Sequence, residues 1–251
     1  MNPTLTLLAA LLFGAAGPAW TQAYPARTVR MVVAFTPGGA SDVIARVVGA
    51  KLGERWGHQV VVENRPGAGG GIGAEFVARS APDGHTLMMA TSSEIVINPA
   101  LNAKLAYDPV RDFAPVALLA SIPLVLATHP SMPVRTVKEF VALARARPKA
   151  ISYASSGAGT ATHLGAELLR SVAGIDIVHV PYKGGPPGAA DLVAGQVQAM
   201  LGTVSTVLPF VQAGRMRALA VTSLRRSPGM ADVPTVAESA YPGFEVVLWT
   251  G

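Results

Sequence analysis

The sequence predicts an α/β protein built as two lobes, with mostly parallel sheets. Three observations carry this expectation. From Arg27 onward, short apolar runs of strand length alternate with stretches whose apolar residues recur at helical spacing. Several of the strand runs end in small-residue loops that open the next helix. The 251 residues, 50% hydrophobic and only 14% charged, are enough for sizeable cores that need neither disulfides nor metals.

Val29 to Phe35 is a near-continuous apolar run, as a strand buried on both faces requires, and it ends in Thr36-Pro37-Gly38-Gly39-Ala40-Ser41-Asp42. Val43, Ile44, Val47, Val48 and Leu52 then recur at helical spacing. Gln59 to Glu63 is the second strand, Gly73 to Ser80 a short helix, and His85 to Ala90 the third strand, leading into Thr91-Ser92-Ser93-Glu94. The proline-rich stretch through Asp108-Pro109 and Phe113-Ala114-Pro115 reads as a crossover.

A second set begins with the strand Leu124 to Thr128. Thr136-Val137-Lys138-Glu139 has capping-box form and opens a helix with Val137, Phe140, Val141 and Ala144 on one face. Ile151 to Ala154 is a strand ending in Ser155-Ser156-Gly157-Ala158-Gly159-Thr160, followed by a helix carrying Leu164, Leu168 and Val172 and stopped by Gly174. Ile175 to Val180, Val197 to Thr203 and Met216 to Thr222 are further strands, the last two separated by a helix around Val207 to Gln212. The expected division is lobe 1 over 24–119, lobe 2 over 120–223, and a second crossover over 224–251 whose strand-like run Phe244 to Trp249 returns to the first lobe.

Residues 1–23 read as a secretory signal peptide. Leu5 to Ala16 is its apolar core, Gly17-Pro18 breaks it, and Thr21-Gln22-Ala23 is a small-x-small cleavage site, so the mature chain starts at Tyr24. The opening Met1-Asn2-Pro3-Thr4 has no Lys or Arg, and an uncleaved signal anchor is the alternative. The uncharged runs 113–134 and 192–214 carry prolines and glutamines that a membrane span would not tolerate.

Catalytic templates mostly fail. Zero cysteines exclude thiolate zinc sites and thiol catalysis, and the five histidines show no metal-ligand spacing. There is no G-x-S-x-G and no Walker A motif. A partial dinucleotide fingerprint lies in Gly69-Gly70-Gly71-Ile72-Gly73-Ala74, with Glu94 placed as the ribose-binding acid. The scattered Lys and Arg behind the net charge of +5 suggest a mild field for anionic solutes rather than nucleic-acid binding.

More informative are three small-residue loops at strand ends: Pro37-Gly38-Gly39, Ser156 to Thr160, and Gly184-Gly185. Each presents free backbone N–H groups and the positive end of a helix dipole, which suit a carboxylate. One loop comes from the first lobe and two from the second, so an anion held between lobes touches both. Asp42 is expected to cap the first helix, and His163 and Lys183 are the candidate titratable contacts.

Taken together, Arg30-Met31-Val32-Val33, Pro37-Gly38-Gly39-Ala40-Ser41-Asp42, Glu63-Asn64-Arg65-Pro66-Gly67-Ala68-Gly69-Gly70, Tyr107-Asp108-Pro109, Asp112-Phe113-Ala114-Pro115-Val116 and Val180-Pro181-Tyr182-Lys183-Gly184 resemble the Bug or TctC-type receptors of tripartite tricarboxylate transporters. The resemblance runs from Tyr24 to Gly251. It implies a type II periplasmic-binding-protein fold with a ligand cleft between two lobes, no catalysis and no cofactor. It also implies a monomer in the periplasm that takes a di- or tricarboxylate, an aromatic acid or an acidic amino acid to membrane transporter subunits.

Carried onto this chain, the family's ligand loops are Pro37, Gly38 and Gly39 from lobe 1, and Ser155, Ser156, Gly157, Tyr182, Lys183 and Gly184 from lobe 2; the residues' own placement adds Thr36, Asp42, Thr160 and His163 to the expected ligand-binding set. Ser92 and Ser93 are the remaining first-lobe contacts. Family members usually continue for several tens of residues beyond the position of Gly251, so the chain is expected to lack the C-terminal part of lobe 1. The alternatives are the dinucleotide enzyme using Gly69 to Ala74, and a ligand sensor for a membrane signalling partner.

Overall fold

Val29–Val33 (β1) is the centre of a parallel three-stranded sheet, between Val60–Asn64 (β2) and Thr86–Met89 (β3). The protein is described here by a computed structural model covering residues 24–251, so the expected signal peptide lies outside the described residues. β1 buries Met31, Val32 and Val33 but turns Arg30 outward to Glu63, so only one residue departs from the expected all-apolar strand. The helix Ala40–Trp56 (α1) packs Ile44, Ala45, Val48 and Leu52 on this sheet and leaves Val43 and Val47 exposed. Gly71–Ala78 (α2) links β2 to β3, and a short turn of helix at Asn98–Leu101 (α3) precedes the crossover.

The second sheet runs in the order β6-β5-β7-β4-β8, where β4 is Ala120–Thr128, β5 Ser152–Ser155, β6 Val178–Pro181, β7 Ala199–Thr203 and β8 Arg217–Val221. β5 pairs in parallel with β6 and β7, but β4 runs antiparallel to β7 and β8. The expectation of mostly parallel pairing therefore holds for the first sheet and not around β4. The reason is β4's double duty: Leu124–Thr128 sits in the second sheet, while Ala120–Pro123 pairs antiparallel with Val247–Thr250 (β9).

β9 closes the circuit. Ala90 and Gly251 exchange backbone hydrogen bonds, and Thr91 bridges Thr250, so the end of the chain is tied to the end of β3. The two crossover strands thus form one ribbon joining the sheets. Thr222, fully buried, fastens it: its hydroxyl accepts from Leu124 N–H (2.9 Å) and donates to the Val246 carbonyl (2.5 Å).

The helices flanking the second sheet are Val137–Ala146 (α4), Ala161–Ala173 (α5), Gly185–Val193 (α6) and Val204–Gln212 (α7), with Val236–Ser239 (α8) on the return segment. α4 buries Val137, Phe140, Val141 and Ala144, the face its periodicity predicts. Its Thr136 hydroxyl accepts from Glu139 N–H, but the Glu139 carboxylate takes the N–H of Arg135 rather than that of Thr136, so only half of the expected capping box forms. A complete box stands at Thr235 and Glu238.

α5 packs on a small-residue face. Leu168 and Val172 are exposed, and the buried face is Ala161, Gly165, Ala166, Leu169 and Ala173. Close approach decides the face: a β-carbon on Gly165 would come within 2.7 Å of Leu201 and 3.1 Å of Val246. Small residues let the helix settle on β7, and the bulkier stripe is turned away.

Candidate functional site

The N-termini of four helices meet between the two sheets. Gly39, Ala40 and Ser41 open α1, Thr160 to Thr162 open α5, Gly185 opens α6, and Thr203 and Thr206 belong to the start of α7; all line one cleft. The first N–H groups of an α-helix have no acceptor within the helix, so four sets of donors and positive dipole ends face one space. α6 contributes least, because Pro186 and Pro187 remove two of its donors. Phe35 and Leu248 supply apolar wall.

Among the described residues, Asp42 is the one charged residue lining this cleft, and it is neutralised on the spot. Its carboxylate accepts two bonds from Arg46 (both 2.9 Å), one from Asn64 Nδ2 (2.9 Å) and one from Gly38 N–H (2.9 Å). Burial alone would raise its pKa, but the bonds from Arg46, Gly38 and Asn64 outweigh that and hold it below the usual value. The expected capping role takes a different form: Gly39 is the N-cap, and Asp42 fixes the loop before the helix through Gly38. With these four bonds in place, Asp42 acts as a brace for the Gly38-Gly39 turn.

A second pocket adjoins the first across Phe35 and Ser156, lined by Gly67 to Gly70, Ser156 to Ala158, and Pro181 to Lys183. Among the described residues, Lys183 is the only cation lining either pocket. The Tyr182 hydroxyl donates to Asp191 (2.5 Å); burial, followed by this bond, pushes its pKa up to about 12, so it stays a neutral donor.

Of the residues expected at the site, the first pocket brings together Gly39, Asp42, Ser93, Ser156 and Thr160, and the second Ser156, Gly157, Tyr182 and Lys183. Thr36, Gly38 and Gly184 instead form contacts between the two sides of the cleft: Gly184 abuts Thr36, and Gly38 faces Pro186. Pro37 is exposed. Ser92 is buried with no hydrogen-bond partner for its hydroxyl. Ser155 is turned inward, where its hydroxyl bonds His179 Nε2 (2.6 Å) and accepts from Gly157 N–H (3.1 Å).

His163 stacks on His179 (4.1 Å between ring centres), and His179 stacks in turn on Tyr153 (5.0 Å). The Nδ1 of His163 accepts from Gly159 N–H (3.2 Å), so this histidine braces the Ser156–Thr160 loop and is not among the residues lining either pocket. Burial, then the neighbouring ring, lowers the pKa of His179 to about 4.

Sequence reasoning missed Phe35, Thr91, Thr162, Thr203, Thr206 and Leu248. Thr203 could have been found, because a polar residue ending a buried strand before a helix is an N-cap signal even without glycine. Leu248 could not, since it reaches the cleft only through the pairing of β9 with β4. Glu94, which the dinucleotide alternative needs at a ribose, is wholly buried.

Two α/β sheets joined by paired crossover strands, with helix N-termini converging between them, define a two-lobed solute-binding protein. The sequence pattern described as Tripartite tricarboxylate transporter family receptor matches residues 44–251, and the chain belongs to this family. Protein BugT of Bordetella pertussis is 38% identical over 254 residues, covering 99% of this chain and 78% of BugT. Among solved structures, a Rhodopseudomonas palustris protein with adipate superposes with a TM-score of 0.88 at 37% identity, covering 90% of this chain and 76% of that one. MatC of the same organism, with bound malate, gives 0.86 at 36% identity, covering 91% and 78%.

Proposed function

We propose that this protein captures a small organic carboxylate between its two sheets and delivers it to the membrane subunits of a tripartite tricarboxylate-type transporter. The observation that carries this reading is the convergence of four helix N-termini on a cleft whose only charged lining residue is already neutralised. Such a site attracts an anion with oriented N–H groups and hydroxyls rather than with a fixed cation. The adipate and malate held by two relatives support a carboxylate, and Lys183 in the adjoining pocket suits a second acidic group. The protein acts as a receptor in the periplasm, exported by the segment 1–23, and no step of catalysis is required of it.

A thermal-shift panel of the mature chain with malate, adipate, citrate, benzoate and glutamate tests the proposal. A bound acid at 100 times its Kd should stabilise the protein by ~2.7 kcal/mol. No shift with any carboxylate, from a folded protein, would overturn it. Capture of membrane subunits from a native extract, with and without the acid, separates transport from sensing.

A further inference from the structure

Glu94 is a carboxyl with no counterion. It is fully buried, one of its oxygens (Oε1) has no hydrogen-bond partner, and it is pressed against Gly70, where φ is +96° and a β-carbon would come within 2.6 Å of Glu94 Cγ. Its other oxygen, Oε2, is bound to Thr91 twice, by the backbone N–H (3.1 Å) and by the hydroxyl. Thr91 and Ser93 are cleft residues, so Glu94 stands directly behind the wall of the proposed carboxylate site.

The groups that face Glu94 bring no charge to it. The Gly67–Gly70 turn has no ionisable side chain, the crossover brings only the phenol of Tyr107, which donates to the Glu94 carbonyl (2.7 Å), and its own turn brings Thr91 and Ser93. Burial therefore dominates, and it raises the Glu94 pKa to about 7 against the weaker opposing pull of its bonds with Thr91.

The Thr91 hydroxyl has three places to fill: two acceptor sites and one proton. Ser93 N–H donates into one acceptor site (3.1 Å). While Glu94 is ionised, the hydroxyl proton must point at Oε2, and Thr91 has nothing to give to the cleft. Once Glu94 is protonated, Oε2–H can donate into the second acceptor site, and the Thr91 proton is released towards the cleft.

We propose that Glu94 is a positioning residue that couples carboxylate binding to proton uptake, by reversing the direction of its hydrogen bond with the cleft residue Thr91. Protonation adds a donor to the site and removes a negative charge from behind it, and both changes favour an anionic ligand. This rests on the reading of the cleft as a carboxylate site.

The test is isothermal titration of malate and of adipate between about pH 6 and pH 8.5, where both acids are ionised, on wild type, E94Q and T91V. Wild-type affinity should fall roughly tenfold across this range, the scale of one added like charge several ångströms away in a protein interior. E94Q, which cannot titrate, should show a flat profile whatever its absolute affinity, and T91V, which keeps the Glu94 charge but lacks the hydroxyl, should show a reduced slope. In the ligand-free protein the Thr91 amide resonance should titrate with a midpoint near 7 in wild type and not in E94Q. A flat wild-type profile with measurable binding overturns this proposal and leaves the carboxylate reading intact. A slope that survives in E94Q, or a Thr91 amide that does not titrate, overturns it equally. Absence of binding by every acid of the thermal-shift panel, at every pH, removes both.

Discussion

Gly184 lies against Thr36 so closely that a β-carbon at 184 would overlap the Thr36 hydroxyl and stand 3.0 Å from its backbone nitrogen. Thr36 leads out of β1 and Gly184 leads into α6, so this contact joins the two sides of the cleft. Further along, Gly69 approaches the Ala158 carbonyl in the same way, and the amide of Asn98 bonds Gly69 (3.1 Å). Closure of the cleft is built from backbone meeting backbone, which requires residues without side chains at the contact.

Gly184→Ala should therefore hold the cleft partly open. Relieving such an overlap costs roughly 1–3 kcal/mol, which lowers carboxylate affinity about fivefold to a hundredfold with little change in unfolding temperature. Calorimetric titration together with small-angle scattering would show it, and wild-type affinity in the variant would contradict the contact.

Asp42→Asn should loosen the loop at Gly38. The change weakens the two hydrogen bonds from Arg46 and the one from Gly38 N–H, a loss of about 1.5–3 kcal/mol for charge-assisted bonds in a buried setting. The folded pKa of Asp42 lies below its ordinary value, so its contribution is present above that value and is lost as the pH falls below about 4. Denaturant titrations should find wild type and Asp42→Asn converging in stability in that acid range and separated at neutral pH.

Glu94 and His179 should pull the stability profile in opposite directions. A carboxyl whose folded pKa is raised to about 7 makes the protein more stable as the pH falls from there towards 4.5, because the folded state binds the extra proton. A histidine whose folded pKa is lowered to about 4 makes it less stable as the pH falls below 6.5, because the unfolded state binds the proton. Each slope is at most about 1.4 kcal/mol per pH unit. In Glu94→Gln only the histidine slope remains, so stability should drop more steeply on acidification than in wild type. Urea midpoints at several pH values would decide this, and parallel profiles would contradict it.

On α5, Gly165→Ala should destabilise by about 1–3 kcal/mol, because the new methyl group meets Leu201 and Val246. Leu168→Gln, on the exposed stripe, should change stability by less than about 0.5 kcal/mol. Thermal unfolding of the two variants reads out which face of the helix is packed; the reverse order would place the leucine stripe inside.

Much of this architecture is legible in the sequence because local chemistry enforces it. The apolar run of β1, the packed face of α4 and the small-residue loops after β1, β5 and β6 are dictated by burial, periodicity and the backbone freedom of glycine. These signals act within a few residues, and they were enough to place three donor loops at one site.

The misreadings involve partners distant along the chain. The buried face of α5 depends on how near β7 can come, which leucine content does not reveal. Leu248 enters the cleft through a ribbon between strands more than a hundred residues apart. His163 is drawn into a stack with His179, which periodicity cannot foresee.

The sequence by itself determined which small-residue loops open helices, since small residues and helix starts are local properties. Only the tertiary structure decided that Asp42 is occupied by Arg46, that Gly184 meets Thr36, and that Glu94 is buried without a counterion behind Thr91. Charge pairing, close approach and desolvation depend on what folding brings alongside a residue.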